Sequence, residues 1–210
     1  LAPFADPGTV DISLNDTPVP ALQDFDYGDS TAYIPLPEGS YEVDIFLDGE
    51  TTPVFTKTVE LEGDNDYTVV AVGDIANQPL DLLLLEDDNT APDSGEFKLR
   101  LGHLAPFADT LEETTADVRK DDGTVILDDV VFGAVAPYLD LPEGEYDLKI
   151  TTPDGLTTLI NLAPVSFTEG QILSAFAVGN GTPQSLGGFA LPSDAEGFFL
   201  PLEAIGYNLY

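Results

Sequence analysis

The sequence predicts an all-β protein of two tandem immunoglobulin-like sandwiches with antiparallel strands, and three observations support this. Short segments of alternating apolar and polar residues lie between turns, as expected for strands with one buried face. The 17 prolines and 19 glycines interrupt every window in which a helical period could develop. An internal repeat divides the 210 residues into two copies of one domain.

Three matched segments define the repeat, and they occur in the same order in both copies. Leu1-Ala-Pro-Phe-Ala-Asp6 recurs letter for letter as residues 104–109, and Tyr33–Ile45 recurs in pattern as Tyr138–Ile150. Ala71-Val-Gly73 recurs as Ala177-Val-Gly179. We therefore expect a first sandwich over residues 1–90, a second over 91–196 and a strand-like tail over 197–210.

The strands of the first copy follow from local alternation and turn residues. We expect strands at Val10–Leu14, Tyr41–Leu47, Val54–Leu61 and Tyr67–Val72, with the apolar run Leu82–Leu85 as a further strand. The Pro-Glu-Gly sequence at 37–39 and at 142–144 predicts a tight turn, because Pro presets φ and Gly accepts positive φ.

These repeat motifs resemble those of a secreted domain-of-unknown-function family, whose repeats open with a His-Ala-Ser-Pro-Asp-type motif. The residues concerned are Leu101–Asp109, the Leu-Pro-x-Gly-x-Tyr segments at 36–41 and 141–146, and Tyr67–Gly73. The resemblance implies an extracytoplasmic β-sandwich of bacteria or archaea, often in tandem, and implies no reaction. This chain departs from the family in having Leu-Ala-Pro-Phe where the family has Ala-Ser-Pro-Asp.

The charge and the residue types that are missing exclude several functions. A net charge of −33 argues against DNA, RNA or an anionic membrane as partner, because each requires a basic patch. With no cysteine there is no disulfide or thiolate, and His103 is the only histidine. Apolar runs stay far below the ~20 residues of a membrane span. We expect no enzyme activity, no catalytic residue and no cofactor, apart from the calcium considered below.

The first residue is Leu1 and not Met, and we expect an extracellular or cell-surface protein from which a signal peptide was removed. Such an acidic surface also predicts adaptation to high salt, as in halophilic proteins. An ordinary acidic secreted protein is the alternative.

Two kinds of binding or modification site are candidates on composition alone. Acid-rich turns are calcium candidates, although none has EF-hand spacing and solvated loops are the alternative. The residues are Asp64, Asp66, Asp87, Asp88, Asp121 and Asp122. Asn15 and Asn180 begin Asn-x-Thr sequences that could carry glycan, or they are ordinary turn residues.

The two copies differ at their edges. The second opens with an alternating strand, Glu96–Leu104, whereas the first begins at Leu1, so we expect it to lack that strand. The apolar tail lies where the opening strand of a further copy would stand. We hypothesise that this tail inserts into the next subunit beside Val10, Ile12 and Leu14. Its interface residues would be Phe198, Phe199, Leu200, Leu202, Ile205, Tyr207, Leu209 and Tyr210.

The sequence therefore favours an extracellular structural or interaction protein, joined to other copies of itself head to tail by β-strand complementation. Such a contact propagates into a filament unless it closes into a ring. The alternative is a monomeric, adhesin-like surface module for a glycan, a cation or a basic partner. Two further alternatives concern the ends of the chain: the tail packs on its own second sandwich, or the chain is one module of a longer array.

We predict that the midpoint of thermal unfolding rises between dilute buffer and 1 M sodium chloride. The repulsion among 39 acidic side chains is screened at high salt, where the Debye length falls to ~3 Å. Calorimetry over a salt series measures this directly, and a midpoint that does not rise would contradict salt adaptation.

Overall fold

The computed structural model describes residues 9–205, and their regular structure is almost all strand. One short 3-10 turn is present at Pro20–Leu22. The strands of the first half are β1 (Val10–Leu14), β2 (Thr17–Pro18), β3 (Gly39–Leu47), β4 (Phe55–Leu61), β5 (Asp66–Val72) and β6 (Asp81–Asp87). Those that follow are β7 (Glu96–His103), β8 (Ala116–Lys120), β9 (Val125–Val130), β10 (Leu139–Pro142), β11 (Gly144–Tyr146), β12 (Leu148–Thr151), β13 (Thr158–Asn161), β14 (Val165–Phe167), β15 (Ile172–Val178), β16 (Gly187–Pro192) and β17 (Phe198–Phe199). Within residues 9–205 no helix is long and apolar enough to cross a bilayer.

The strands form four main sheets. Sheet A has the order β2-β1-β3-β4 and sheet B contains β5 and β6. Sheet C has the order β10-β7-β15-β16-β17, and sheet D has the order β13-β12-β8-β9. A small ribbon, β11-β14, completes the second half. The first sandwich is sheet A on sheet B, and the second is sheet C on sheet D.

Each sandwich has its own apolar core. In the first, Val43 and Ile45 of sheet A pack against Leu82 of sheet B. In the second, Phe97 and Leu99 of β7 pack in the same cluster as Ile150 and Ile160 of sheet D. The alternating side chains of each strand supply these contacts, as period-2 patterning requires.

A third apolar cluster joins the two sandwiches through sheets B and C. Val70 and Val72 of β5 pack with Phe176 and Val178 of β15 and with Phe189 of β16. Sheet B is therefore covered on both faces, and the layers follow the order A, B, C, D. This explains the unbroken apolar run of β6, because a strand buried on both faces needs no polar alternation.

The predicted fold class, two tandem β-sandwiches, is confirmed, and strand β1 has the predicted bounds. One pairing departs from the antiparallel expectation. β7 runs parallel to β15, with Leu99 opposite Leu173 and Leu101 opposite Ala175. The chain must cross from one sheet to another between these two strands, which allows a parallel neighbour.

The Pro-Glu-Gly turns are held by the same hydrogen bond in both copies. The Tyr41 hydroxyl donates to the Pro37 carbonyl at 2.8 Å, and the Tyr146 hydroxyl donates to the Pro142 carbonyl at 2.8 Å. The recurrence of this tyrosine in the sequence is thus structural.

A buried ion pair fixes the junction between the sandwiches. Arg100 of β7 donates to Asp87 of β6 at 2.6 Å, and the two side chains are only 4 % and 1 % exposed. The guanidinium also donates to Ser174 Oγ at 2.8 Å and to the Glu86 carbonyl at 3.0 Å. It lies 4.6 Å from the centre of the Tyr138 ring. Every polar contact of this arginine therefore ties β7 to the strands around it.

A second polar contact at the junction joins equivalent residues of the two copies. Asp74 follows Gly73 and Asn180 follows Gly179, and the Asn180 amide donates to the Asp74 carboxylate at 3.2 Å. Nearby, Asn77 donates to the Pro106 carbonyl at 2.8 Å. Contact between equivalent positions is the pattern of a two-fold relation, so sheets B and C face each other as counterparts.

We predict that Arg100→Gln lowers the free energy of unfolding by about 3–5 kcal/mol, because it leaves the Asp87 carboxylate buried without its cation. Lys149→Gln is the matched control, since Lys149 lies 3.6 Å from an Asp121 side chain that is 71 % exposed. Loss of such a surface pair costs at most about 1 kcal/mol. Equilibrium denaturation in molar salt measures both, and equal effects would contradict this account of the junction.

We also predict that Asp88 titrates far below an ordinary aspartate. Hydrogen bonds from Lys98, at 2.7 Å, and from Thr90 lower the pKa of Asp88 from 3.8 to about 2. Because the pKa is depressed in the folded chain, the pair stabilises the fold above pH 3.8, and this contribution is lost as the pH falls toward 2. An NMR titration should show this midpoint, and Lys98→Gln should raise it. An identical midpoint in both proteins would contradict the assignment.

Candidate functional site: a groove in the first sandwich

Sheet B consists of β5 and β6 alone among residues 9–205, so the outer edge of each strand has no described strand beside it, and the edge of β5 is the informative one. In sheet C, β15 is flanked by β7 on one side and β16 on the other. Its counterpart in the first sandwich is β5, which ends in the same Ala-Val-Gly sequence and pairs with β6 alone among residues 9–205. The unoccupied position is therefore the one that β7 fills in the second sandwich.

A groove of about 810 Å³ lies at this position, between sheets A and C. We call it the acceptor groove. Apolar side chains of sheet A, including Ile12, Leu14 and Val43, form one wall, and Ser174 and Phe176 of sheet C belong to the other. The free edge of β5 closes the groove along its length, and residues 30–36 line its outer side.

Core-facing positions of β5 are exposed in the groove. Val69 is 44 % exposed although it lies between two sheets. Tyr67 is half-buried, whereas Leu173, its counterpart on β15, is 6 % exposed beneath β7. The difference between the copies is the covering strand, since sheets A and D supply equivalent walls.

The acceptor groove offers the contacts that an added β-strand needs. An uncovered strand edge presents backbone N–H and C=O groups that another strand can pair with. In the second sandwich this position is occupied by β7, whose Phe97 and Leu99 are almost fully buried. A segment that fills the acceptor groove needs the same alternation, with large apolar side chains toward sheet A.

The predicted interface residues Val10, Ile12 and Leu14 line the acceptor groove, but the open strand edge is not beside them in their own sheet. β1 pairs with β3 along its whole length and with β2 at its end, so its edges are occupied. Val10, Ile12 and Leu14 instead point into the acceptor groove from the opposite sheet. Chain order placed the missing strand next to β1, whereas in space it belongs next to β5.

Part of the predicted interface tail packs on its own second sandwich. Phe198 and Phe199 form β17 along β16, and Leu200 is buried in the second core. Further along, the Pro201 carbonyl accepts from Ala163 at 2.8 Å and the Glu203 N–H donates to Asn161 at 2.9 Å. Leu202 bridges to Leu162, and both Leu202 and Ile205 are exposed. Tyr207, Leu209 and Tyr210 lie outside the described residues.

The predicted calcium residues occupy separate places and most already have donors. Asp87 and Asp88 bind Arg100 and Lys98. The Asp66 carboxylate accepts from Asn89 and that of Asp122 from the Thr124 N–H, while Asp121 lies beside Lys149. Asp64 is at a turn with a φ of 64°. Calcium at these residues stays a prediction.

A different carboxylate group was missed by the sequence argument. Asp16, Glu42 and Asp44 bring carboxylate oxygens within 4.8 Å of one another. They come from the β1–β2 turn and from β3, so pairing across strands and not sequence spacing assembles them. Asp44 already accepts from Ser13 and Thr56, which accounts for its burial.

The remaining candidates are the two asparagines of the Asn-x-Thr sequences and the single histidine. Asn180 is buried, and its side-chain nitrogen donates to Asp74, so in the folded chain it is not available for glycan; that prediction is wrong. Asn15 lies exposed in a turn, and its glycosylation stays a prediction. Burial lowers the pKa of His103, whose Nε2 donates to the Thr114 carbonyl at 2.7 Å while Nδ1 accepts from the Ala105 N–H at 3.3 Å.

Comparison with known proteins gives a family and no function. The family model described as "Domain of unknown function (DUF4397)" matches the chain twice, over residues 4–114 and 112–196. No curated protein matches it. The first matched segment contains β7 near its end, and the second stops where the tail begins. The two segments together cover more than half of the sequence, and the chain therefore belongs to the DUF4397 family.

Proposed function

We propose that this chain is a structural subunit of an extracellular, head-to-tail assembly, in which the acceptor groove of one copy receives a β-strand from another copy. The acceptor groove carries the proposal. Apolar side chains of sheet A and of β5 line much of it, and it lies where the homologous second sandwich holds β7.

Two contributions to the free energy favour binding of a strand in the acceptor groove. Burial of apolar side chains such as Val69 contributes about 25 cal/mol per Å² of surface removed from water. The free backbone groups of β5 gain partners in a β-ladder, which is how strand addition combines affinity with register. The pattern of pockets along the strand then selects the donor sequence.

A second copy of the chain is the donor that the composition favours. Residues 204–210, Ala-Ile-Gly-Tyr-Asn-Leu-Tyr, contain no charged side chain, on a chain with 39 acidic and 6 basic side chains. A neutral, alternating segment can enter an apolar groove without the cost of burying a carboxylate. The contact joins two different surfaces, so it propagates from copy to copy unless it closes into a ring.

The acidic surface sets the conditions of assembly. Two copies of net charge −33 repel in dilute buffer and approach freely when salt shortens the Debye length to ~3 Å. A salt-rich exterior is consistent with this composition and with the expected secretion of the chain.

We predict that Val69→Asp abolishes assembly at molar salt while leaving the subunit folded. Val69 is 44 % exposed in the single chain, so the substitution costs little there, but it would bury a carboxylate under an inserted strand. Light scattering with negative-stain microscopy should show multimers for the wild type and particles of 22.4 kDa for the variant.

Val125→Asp is the matched control, because Val125 is also a strand valine and is 42 % exposed, on β9. It should assemble like the wild type. A wild type that stays at 22.4 kDa at all concentrations would overturn the proposal and favour a monomeric binding module. Assembly of Val69→Asp at the wild-type level would exclude the acceptor groove as the contact.

A further inference from the structure

Resting on the proposed function, we propose the identity, direction and register of the donated strand. It is residues 204–210, parallel to β5 of the receiving copy, with Ile205, Tyr207 and Leu209 facing sheet A. In this register the three side chains stand opposite Tyr67, Val69 and Ala71. Residues 198–203 are not donated and serve as an anchor on the donor's own second sandwich.

The anchor is defined by its contacts. Leu200 is 7 % exposed within the second core, and its N–H donates to the Gly188 carbonyl at 2.8 Å. Pro201 and Glu203 bond to residues 163 and 161, beside sheet D. Donating these residues would open the second core, so the part of the tail free to leave begins after Glu203.

The anchor ends beside sheet D, where the Glu203 N–H donates to Asn161, whereas the acceptor groove lies between sheets A and C. Residues 204–210 span at most ~25 Å when fully extended, and pairing along β5, which itself has 7 residues, would use all of them. No residue would then remain to connect the anchor to a strand in the groove of the same chain, and we infer donation to another copy.

The direction and register are those of β7 beside β15. Leu99, Leu101 and His103 stand opposite Leu173, Ala175 and Ala177, with the strands parallel. The counterparts of these three β15 residues on β5 are Tyr67, Val69 and Ala71, because both strands end in Ala-Val-Gly. Two of these three β7 residues are apolar and the third is a buried histidine, so a donor needs side chains that can be buried at three alternate positions.

The sequence of the tail selects one register. A shift by one residue turns Gly206 and Asn208 toward sheet A and the large side chains away from it. A shift by two, with Ile205 opposite Val69, places Glu203 opposite Tyr67 and buries its carboxylate among apolar side chains. Only the proposed register puts all three large side chains into the groove and leaves Glu203 outside.

Charge on the other face of the strand agrees with this register. On β7 the outward residues Lys98 and Arg100 bind Asp88 and Asp87. The counterpart of Arg100 in the donor is Gly206, and the counterpart of Asp87 is Ser193, which lines the acceptor groove. Asp87 also lines the groove, but its carboxylate is already paired with Arg100 of its own chain, so a donor without cations leaves that pair intact.

The absence of cysteine from the chain makes the register measurable by disulfide formation. We test Val69→Cys with Tyr207→Cys, and Tyr67→Cys with Ile205→Cys as a second pair that keeps Tyr207. Residues directly opposite on neighbouring strands fall within the ~4.4–6.8 Å between Cα atoms that a disulfide needs. After assembly under oxidising conditions, both pairs should give ladders of covalent multiples on non-reducing gels.

Two control pairs separate the alternatives. Val69→Cys with Ile205→Cys reports the two-residue shift, and Val69→Cys with Asn208→Cys reports the opposite face. Both should give at most a tenth of the product of the proposed pairs. Stronger cross-linking in either control than in the proposed pairs would overturn the register while leaving strand donation intact.

Truncated chains distinguish a failure of this inference from a failure of the proposed function. A chain ending at Glu203 should stay monomeric with an unchanged melting midpoint, whereas one ending at Glu196 should melt lower because Leu200 is lost. If the wild type assembles and the chain ending at Glu203 also assembles, another segment fills the groove and this inference fails alone. If the wild type does not assemble at all, the proposed function fails first.

Discussion

The structure depends on the burial of sheet B on both of its faces. Its two strands form the inner layer of the first sandwich and also the surface on which sheet C packs. If one strand is missing from this layer, apolar surface of both neighbouring sheets, A and C, is exposed. The acceptor groove is the place of that missing strand, which explains why Val69 is exposed and Tyr67 only half-buried in the middle of the protein.

The same layer explains the polar chemistry of the junction. Where β7 enters sheet C, its outward cations meet carboxylates at the end of β6, and the Arg100–Asp87 pair is sealed from water. Tyr33 donates to Asp87 at 2.8 Å, and its counterpart Tyr138 lies against Arg100 and within 3.5 Å of the same carboxylate. A buried ion pair is weak evidence for stability by itself, and this one connects the end of β6 to β7 and, through Ser174, to β15. The acceptor groove has a neutral residue, Ser193, at the corresponding point.

The sequence predicted more of the architecture than of the site. Alternation and turn residues located most of the strands of the first half, and the repeat of Leu1–Asp6 at 104–109 predicted two copies of one domain, in agreement with the two sandwiches and the two family matches. The unbroken run Leu82–Leu85 predicted a strand but not its burial on two faces, which depends on how the copies stack. The open edge of β5 was not predicted because the parallel neighbour of β15 is distant in the chain and no local pattern encodes it. Likewise, Asp16 and Glu42 meet only through the pairing of β1 with β3. Both features depend on pairing between strands that are distant in the chain, and local sequence patterns do not predict such pairing.

The central claim is that layer B is completed by a strand from another copy. Electron cryomicroscopy of the native protein at molar salt tests it most directly, because each subunit in a reconstruction would show its β5 edge. We expect regular assemblies in which a strand parallel to β5 is continuous with the tail of the neighbouring subunit. Dispersed particles of 22.4 kDa, or an assembly in which the edge of β5 remains uncovered, would contradict it.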